Sequence, residues 1–433
     1  VIDYEKREDS IMTMQVSFER IDITPALPVR LSGFGKVRWA ETAHDPLFAR
    51  LLLFSGEQET LWIQLDWCAA DSMIFDQVAD LTGIHQPHLI ISATHTHSGP
   101  CGTVRCDQGI LKGLEPVFGD VNACYIAETA RRIADAVERL RQTKQNFQWR
   151  LVRGTVAGLG TDRHDPQLPC DQDAFVLELI TEEGRRCLWT RMACHPTVLN
   201  GDNLELTADF PGALEACFDA VEMVAFVNGS CGDMSTRFTR QQSSFAEMER
   251  LAQLAADQLK PLLAQPVPFT PGEKLTLKIH QRTFRVKAKV LDSVEVAEAQ
   301  VSTLKAQVEQ ARKEGADAHA LRLLESLKEG AENNLLSCRN ASGLREIALS
   351  VSCIQLPSLN LITVPVELFS KLSNPVKAEW NAEFIGYTNG YALYMADENA
   401  FDQQFYEAMS SPFEKGAGEE LIRQIGSWLL TLH

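Results

Sequence analysis

Apolar residues in this chain come in short runs divided by turn residues, and the period of each run predicts its element. "VSFERIDITPA" reads as a strand running into a turn at Pro25. "FARLLLFSGEQETLWIQLDWC" sets two apolar runs around a polar Ser-Gly-Glu turn, a hairpin whose second strand ends at Asp66. "DAFVLELITEEGRRCLWTRMACHP" is a second hairpin, turning at Glu183-Gly184 and carrying His195 to the end of its second strand. "VNACYIAETARRIADAVERLRQT" has apolar residues at helical spacing with charges on the other side. "VEMVAFVNGSCGDMS" is a buried strand entering a glycine-containing loop, and the helix "SSFAEMERLAQLAADQLKPLL" follows. Strands return in "LTLKIHQRTFRV" and "EIALSVSCIQLPSLNLITVPVELF", and "GEELIRQIGSWLLTL" closes the chain as an amphipathic helix. Hairpins pair antiparallel and alternate here with helices. The expected class is α/β, a mixed β-sheet core flanked by helices.

One region departs from this rhythm. Between about residues 292 and 337, Val294, Ala297, Val301, Leu304, Val308 and Ala311 recur at three- and four-residue steps. "KEGAD" breaks the run, and Leu321, Leu324, Leu327, Ala331 and Leu335 resume it. This is a helical hairpin inserted between strands. Three roles are open to it: packing against the body, a lid, or an arm that forms a homo-oligomer. Residues 1–15 read as a polar leader, and 16–433 as one domain that includes the insertion.

Composition narrows the classes. Hydrophobic content of 45% and charged content of 23% fit a globular chain with an ample core. A net charge of −17 repels phosphate backbones and anionic leaflets, which argues against nucleic-acid partners while leaving room for a local basic pocket. No stretch approaches the roughly 18 to 20 apolar residues of a membrane helix, and the charged start lacks a secretory signal's apolar segment. The 11 cysteines include no CxxC pair and suit reduced thiols, hence a cytoplasmic setting.

Candidate chemistry begins at "ISATHTHSGP". Continued as a strand to the turn at Gly99-Pro100, it projects His95 and His97 to one face, close enough to share an ion. Thr94, Thr96 and Ser98 are small and able to hydrogen-bond around them. Two ligands do not make a site. "TRMACHPTVLNGDN" adds His195, "LITVPVELFSKL" adds Glu367 after Pro365, and "GTDRHDPQLPCDQDA" adds Arg163. "YTNGYALYMADENAFDQQFYEA" is dense in tyrosine. Each of these alone has an ordinary structural role.

Together they resemble one family. "DITPALPVRLSGFGK", "ISATHTHSGP", "TDRHDP", "ACHPTVL" with "TADFPG", "VNGSCGDMS", "VPVELF" and "TNGYALYMADENAFDQQFYE" stand in the order found in the neutral, non-lysosomal ceramidases. The resemblance runs from about residue 16 to about 410. It implies a zinc amidase in which His95, His97, His195, Glu367 and Tyr391 hold the ion, with Tyr387 and Tyr394 close by in sequence. It implies catalytic parts for His97 and Tyr391, and a substrate-orienting part for Arg163. Asp66 and Asp209 are then expected to accept from the ligand imidazoles, which need a partner on the second ring nitrogen. Where the family has Gly-Asp-x-Ser-Pro-Asn this chain has "GDMSTR", so Ser235 is read as part of a turn. The chain also stops at His433 without room for the family's C-terminal β-domain, a short form. The expected activity is zinc-dependent hydrolysis of a linear amide bond in a small N-acylated substrate by metal-activated water. The alternatives are ester hydrolysis at the same ion, action on N-acyl sphingosine itself, or a non-catalytic binding protein. Lys36, Arg38, His44, Arg163 and His164 sit in loops expected at the site mouth, which favours a polar or anionic substrate.

Overall fold

A computed structural model describes residues 13–340 and 343–432. Most of the expected leader lies outside the described residues; Gln15 already opens the first strand. Three mixed sheets carry the chain. The first orders Gln15–Asp22, Phe48–Ser55, Glu59–Leu65 and Leu89–Ala93. The second orders Met223–Asn228, Arg186–Met192, Asp173–Thr181 and Phe147–Thr155, with Thr270–Pro271 at its edge. The third orders Lys278–Lys287, Glu346–Leu356, Leu359–Thr363 and Ala382–Ile385.

Alternation along the strands divides the core. In "LLLF", Leu52 and Phe54 turn toward a cluster shared by the three sheets, with Phe18, Trp62, Trp149, Phe175, Trp189 and Leu361. Leu51 and Leu53 turn the other way, onto the helices Ser72–Thr82 and Ala123–Gln142. The helix Phe245–Leu263 covers the second sheet through Leu251, Ala255 and Leu259. The helix Ala417–Leu429 covers the third through Leu421 and Ile425. The first sheet's strands Phe48–Ser55 and Glu59–Leu65 are buried on both faces, which is why they read as continuous apolar runs, whereas Lys278–Lys287 leaves one face exposed and alternates. Each fully buried large side chain contributes roughly 1.5–3 kcal/mol.

Each sheet also contains one parallel pair, and these pairs position the site. They are Glu59–Leu65 with Leu89–Ala93, Arg186–Met192 with Met223–Asn228, and Leu359–Thr363 with Ala382–Ile385. Loops beyond the carboxyl ends of parallel strands are where open α/β sheets collect ligands. Here the three sets of ends meet: the Ala93 amide donates to the Tyr387 carbonyl at 3.1 Å, and the Gly386 amide to the Asn228 carbonyl at 3.0 Å.

The insertion is a helical hairpin as expected, Val294–Lys313 followed by Ala318–Asn340, between the paired strands Lys278–Lys287 and Glu346–Leu356. Ala297, Val301, Ala331 and Leu335 bury against one another and against Met409 of the helix Tyr406–Ser410. Gly330 makes this contact close. A Cβ there would sit 2.8 Å from Met409 Cε and 3.1 Å from Tyr406 Cα. The arm thus packs on the body beside the convergent loops.

Candidate metal centre

His95 and His97 come together by a route other than strand alternation. The strand stops at Ala93, well short of Gly99-Pro100, and His95 adopts a left-handed backbone with φ of 72°. Main-chain bonds impose this tight loop: Thr94 donates to the Leu65 carbonyl and His95 to the Trp67 carbonyl, both at 2.9 Å. Buried Arg38 fastens the far side, donating to the carbonyls of His97 at 2.6 Å and Ser32 at 2.7 Å. His195 likewise lies three residues past the end of its strand at Met192. Glu367 opens the short strand Glu367–Leu368, paired with Tyr394–Met395. Gly232 lets the neighbouring loop approach it, since a Cβ there would lie 2.5 Å from the Glu367 carbonyl oxygen.

These loops bring the donor atoms of His95, His195 and Glu367 to one point, with His97 Nε2 beside His95. His95 Nε2 lies 3.1 Å from both His97 Nε2 and His195 Nε2. Glu367 Oε2 lies 3.3 Å from His95 Nε2 and 3.1 Å from His195 Nε2. All four residues are buried. The opposite ring nitrogens of two imidazoles are already committed: His95 Nδ1 donates to the Cys68 carbonyl at 2.7 Å and His195 Nδ1 to the Cys231 carbonyl at 2.8 Å. A carbonyl can only accept, so the Nε2 atoms of neutral His95 and His195 are bare lone pairs aimed at each other. Protonating His95 supplies one N–H, which can point at only one of its three acceptor neighbours. A cation at the centre satisfies all four. Ligands at about 2.0–2.1 Å in a tetrahedron stand about 3.3 Å apart, close to the separations among His95, His195 and Glu367, to which His97 is joined through His95.

The electrostatics favour the ligating form at two imidazoles and couple the third to Glu367. Burial, reinforced by its imidazole neighbours, pushes His97 well below the ordinary imidazole range. Burial also lowers His195, against the pull of Glu367. Both are thus held in the neutral, ligating form. Burial would lower His95 too, but the Glu367 carboxylate outweighs it and lifts the imidazole to about 10. Burial would raise Glu367, but His95 holds it well below the carboxylate range.

His97 leans on Gly33, whose φ is 90°, and a Cβ at Gly33 would come 2.5 Å from His97 Cγ. Gly33→Ala is therefore expected to fold but to weaken zinc binding at least tenfold, with about 1–2 kcal/mol of backbone strain besides. Competition against a chromophoric chelator reads the affinity and circular dichroism the fold. Undiminished affinity in the alanine protein would mean that His97 is not held by this contact.

The three tyrosines take different places. Tyr391 Oη donates to Glu367 Oε1 and its ring lines the cavity over the donors. Burial, aided by the Glu367 charge, keeps its phenol well above the usual range, so it stays protonated. Tyr387 stacks behind His95 at 4.3 Å between ring centroids, with its hydroxyl 3.0 Å from Cys231 Sγ. Tyr394 lies beside His195 and accepts from Arg163 Nη1 at 3.5 Å.

Several expected side chains are elsewhere. Arg163 does not line the cavity; its guanidinium is engaged by Glu407 at 3.0 Å, behind Tyr394. Glu407, also 2.8 Å from His164 Nε2, closes the "TNGYALYMADENAFDQQFYE" motif, which implies no role for it. Burial would raise its carboxyl, but Arg163 and His164 bring it down to about 2. Asp66 and Asp209 do not accept from the imidazoles. Main-chain carbonyls take that part, because the aspartates are consumed by their own loops. Asp66 accepts from Arg50 and the Phe48 amide, both at 2.9 Å. Asp209 accepts from the amides of Phe210 at 2.7 Å and Leu199 at 3.1 Å. Lys36 pairs with Asp202 at the surface, His44 stacks on Phe245 and His164 on Phe405, and none of the expected mouth cations lines this cavity. Ser235 sits in the Met234–Ser235 bridge to Thr161–Asp162, also outside it.

Burial pushes the Asp209 carboxyl up to about 6, against an unfolded value near 4. The folded chain thus holds this proton more tightly than the unfolded chain. The associated stability is full below about pH 4 and is lost as pH rises through 6. Asp209→Asn should remove about one proton from the difference between folded and unfolded uptake over that window. Urea unfolding of both proteins in half-unit pH steps measures it, and parallel curves would contradict the assignment.

The cavity over the donors is small. Cys68, His95, His97, Glu367, Tyr391 and Tyr394 line one side, and Asn333 and Ser337 of the arm line the other. Water can reach about 30 Å³ of it, one molecule's share of the liquid.

Fold and centre together define a class: a mixed-sheet α/β protein with three imidazoles and a carboxylate gathered at the ends of parallel strands. No family model matches the chain, and no curated protein matches it in sequence. Solved structures do match. Neutral ceramidase from Pseudomonas aeruginosa superposes with a TM-score of 0.73 at 16% identity, covering 97% of this chain and 74% of that one. A ceramidase complexed with C2 gives 0.73 at 14% identity, covering 97% and 75%. The fold of this chain is the neutral ceramidase fold, as the sequence motifs led us to expect.

Proposed function

We propose that this protein is a zinc-dependent hydrolase that cleaves the amide C–N bond of a small N-acylated substrate. The observation that carries the reading is a buried donor set in which His97, His195 and Glu367 each stand 3.1–3.3 Å from His95 Nε2, two of the imidazoles having their other nitrogen tied to a carbonyl. Three nitrogens and one oxygen suit zinc among the common divalent ions. Zinc held there supplies a Lewis acid that activates water and polarises an amide carbonyl. The remaining work falls to the chain. Tyr391 presents a protonated phenol to the cavity, placed to donate to the oxygen of a developing tetrahedral carbon or to the departing amine. Arg163 and Glu407 hold the Tyr394 hydroxyl at the rear wall. No helix among the described residues is long and apolar enough to cross a membrane. The eleven cysteines are all free thiols, which fits a reducing compartment such as the cytoplasm.

The test combines metal analysis with a substrate panel. Chelator-treated protein should be inactive, and about one zinc per chain should restore hydrolysis of N-acyl amino acids above that of matching esters and of detergent-dispersed ceramide. Turnover that survives zinc removal would sink the reading. Preference for the esters, or for ceramide, would replace the substrate class.

A further inference from the structure

The small cavity over the donors shares its arm-side wall with a much larger space. Ser337, on the arm helix Ala318–Asn340, lines both. On its far side lies an open cavity of about 740 Å³. Its floor is apolar, formed by Ile110, Ala288, Leu291, Ile347 and Pro412, with exposed Val290 at its edge.

Its rim is cationic. Lys112, Lys287, Lys289 and Arg345 line it against Glu346 and Glu414. Lys287 is matched by Glu414 at 3.5 Å. Lys112 and Arg345 form no ion pair among the described residues, which leaves Glu346 as the one rim carboxylate facing three cations. Lys289 is half-buried, and its ammonium donates to the carbonyls of Met409 at 2.8 Å and Ala408 at 3.4 Å; Asp292 acts on it from beyond ion-pair distance. Burial draws the ammonium down to about 8, outweighing the opposing pull of Cys338 and Asp292. In a chain of net charge −17, this rim reverses the prevailing sign. An apolar trough edged by unmatched cations complements an alkyl chain that carries an anion.

We propose that this cavity binds a linear alkyl carboxylate, its chain on the apolar floor and its carboxylate among Lys112, Lys289 and Arg345. If the amidase reading holds, that carboxylate belongs either to the substrate, whose amide reaches past Ser337 to the donors, or to a released acid. The expectation of an anionic substrate thus survives on a different set of cations from the one the loops suggested.

Decanoate binding to the full chain, followed by calorimetry, tests the cavity without any turnover. Saturable binding is expected, at least tenfold weaker in Lys112→Glu/Arg345→Glu, whose two side chains are exposed, and tenfold weaker for decanol. Absence of saturable binding, or equal binding by the variant, overturns the proposal. A kinetic arm separates the two sources. For amides with a terminal carboxylate and their methyl esters, the variant should lose at least tenfold of the kcat/KM ratio if the carboxylate is the substrate's. An unchanged ratio alongside charge-dependent decanoate inhibition assigns the cavity to the acid product. Charge-dependent decanoate binding in a protein that hydrolyses no amide upholds the cavity and refutes the amidase reading. Amide hydrolysis without decanoate binding does the reverse.

Discussion

His97→Ala protein is expected to purify with less than a tenth of the wild-type zinc and with turnover reduced by at least a thousandfold. His97 Nε2 completes the donor set from a loop separate from those of His195 and Glu367. Removing it leaves two imidazoles and a carboxylate, and a structural water cannot restore the lost nitrogen's affinity. Cys68 also faces the cavity, its thiol 3.7 Å from His95 Nδ1 and grouped with His95 and His97, so any zinc left in the alanine protein would draw on this thiol. The fold should survive, because His97 belongs to no core cluster and its loop is fastened through its carbonyl by Arg38. Elemental analysis, circular dichroism and turnover on one preparation decide it. Full zinc content with lost activity would give His97 a part other than ligation; full content with full activity would dissolve the centre.

Tyr391→Phe is expected to separate metal from rate. The phenol touches Glu367 through the oxygen that does not face the imidazoles, so its loss leaves the four donors in place. Zinc content should stay within twofold of wild type. The missing hydroxyl removes a donor that acts on charge developing in the transition state, an effect of about 10²–10³ in kcat with little change in KM. Tyr387→Phe serves as the contrast, since its hydroxyl sits behind His95 between Cys231 Sγ and Glu367 Oε2, 3.4 Å from the latter, and does not line the cavity. Its kcat should fall less than tenfold. If the two variants exchange these results, Tyr387 is the donor and Tyr391 a packing residue.

The elements were readable because their causes are local. The hairpin turns at Ser-Gly-Glu and Glu183-Gly184 and the 3.6-residue spacing of the arm each depend on neighbours in sequence. The parallel pairings were not readable, since each joins strands separated by a helix and leaves no periodic signature. They decide the site. His95 and His97 were found for their residue type and spacing, although a left-handed loop, and no continued strand, brings them together. The mouth cations failed for a related reason. A charged loop residue carries no mark of whether tertiary contacts will consume it, as they consume Arg38, Lys36 and Arg163, or leave it unmatched, as they leave Lys112 and Arg345.

By itself the sequence determined the α/β class, the inserted helical pair and the residue types able to hold an ion, because propensity, period and donor chemistry belong to individual side chains. Tertiary structure alone decided that His195 and Glu367 meet His95, that backbone carbonyls of Cys68 and Cys231 orient the imidazoles in place of Asp66 and Asp209, and that Ser337 of the arm stands between the donors and a cationic trough. A main-chain carbonyl is the same group at every residue. Only the folded path of the chain can say which one an imidazole will find.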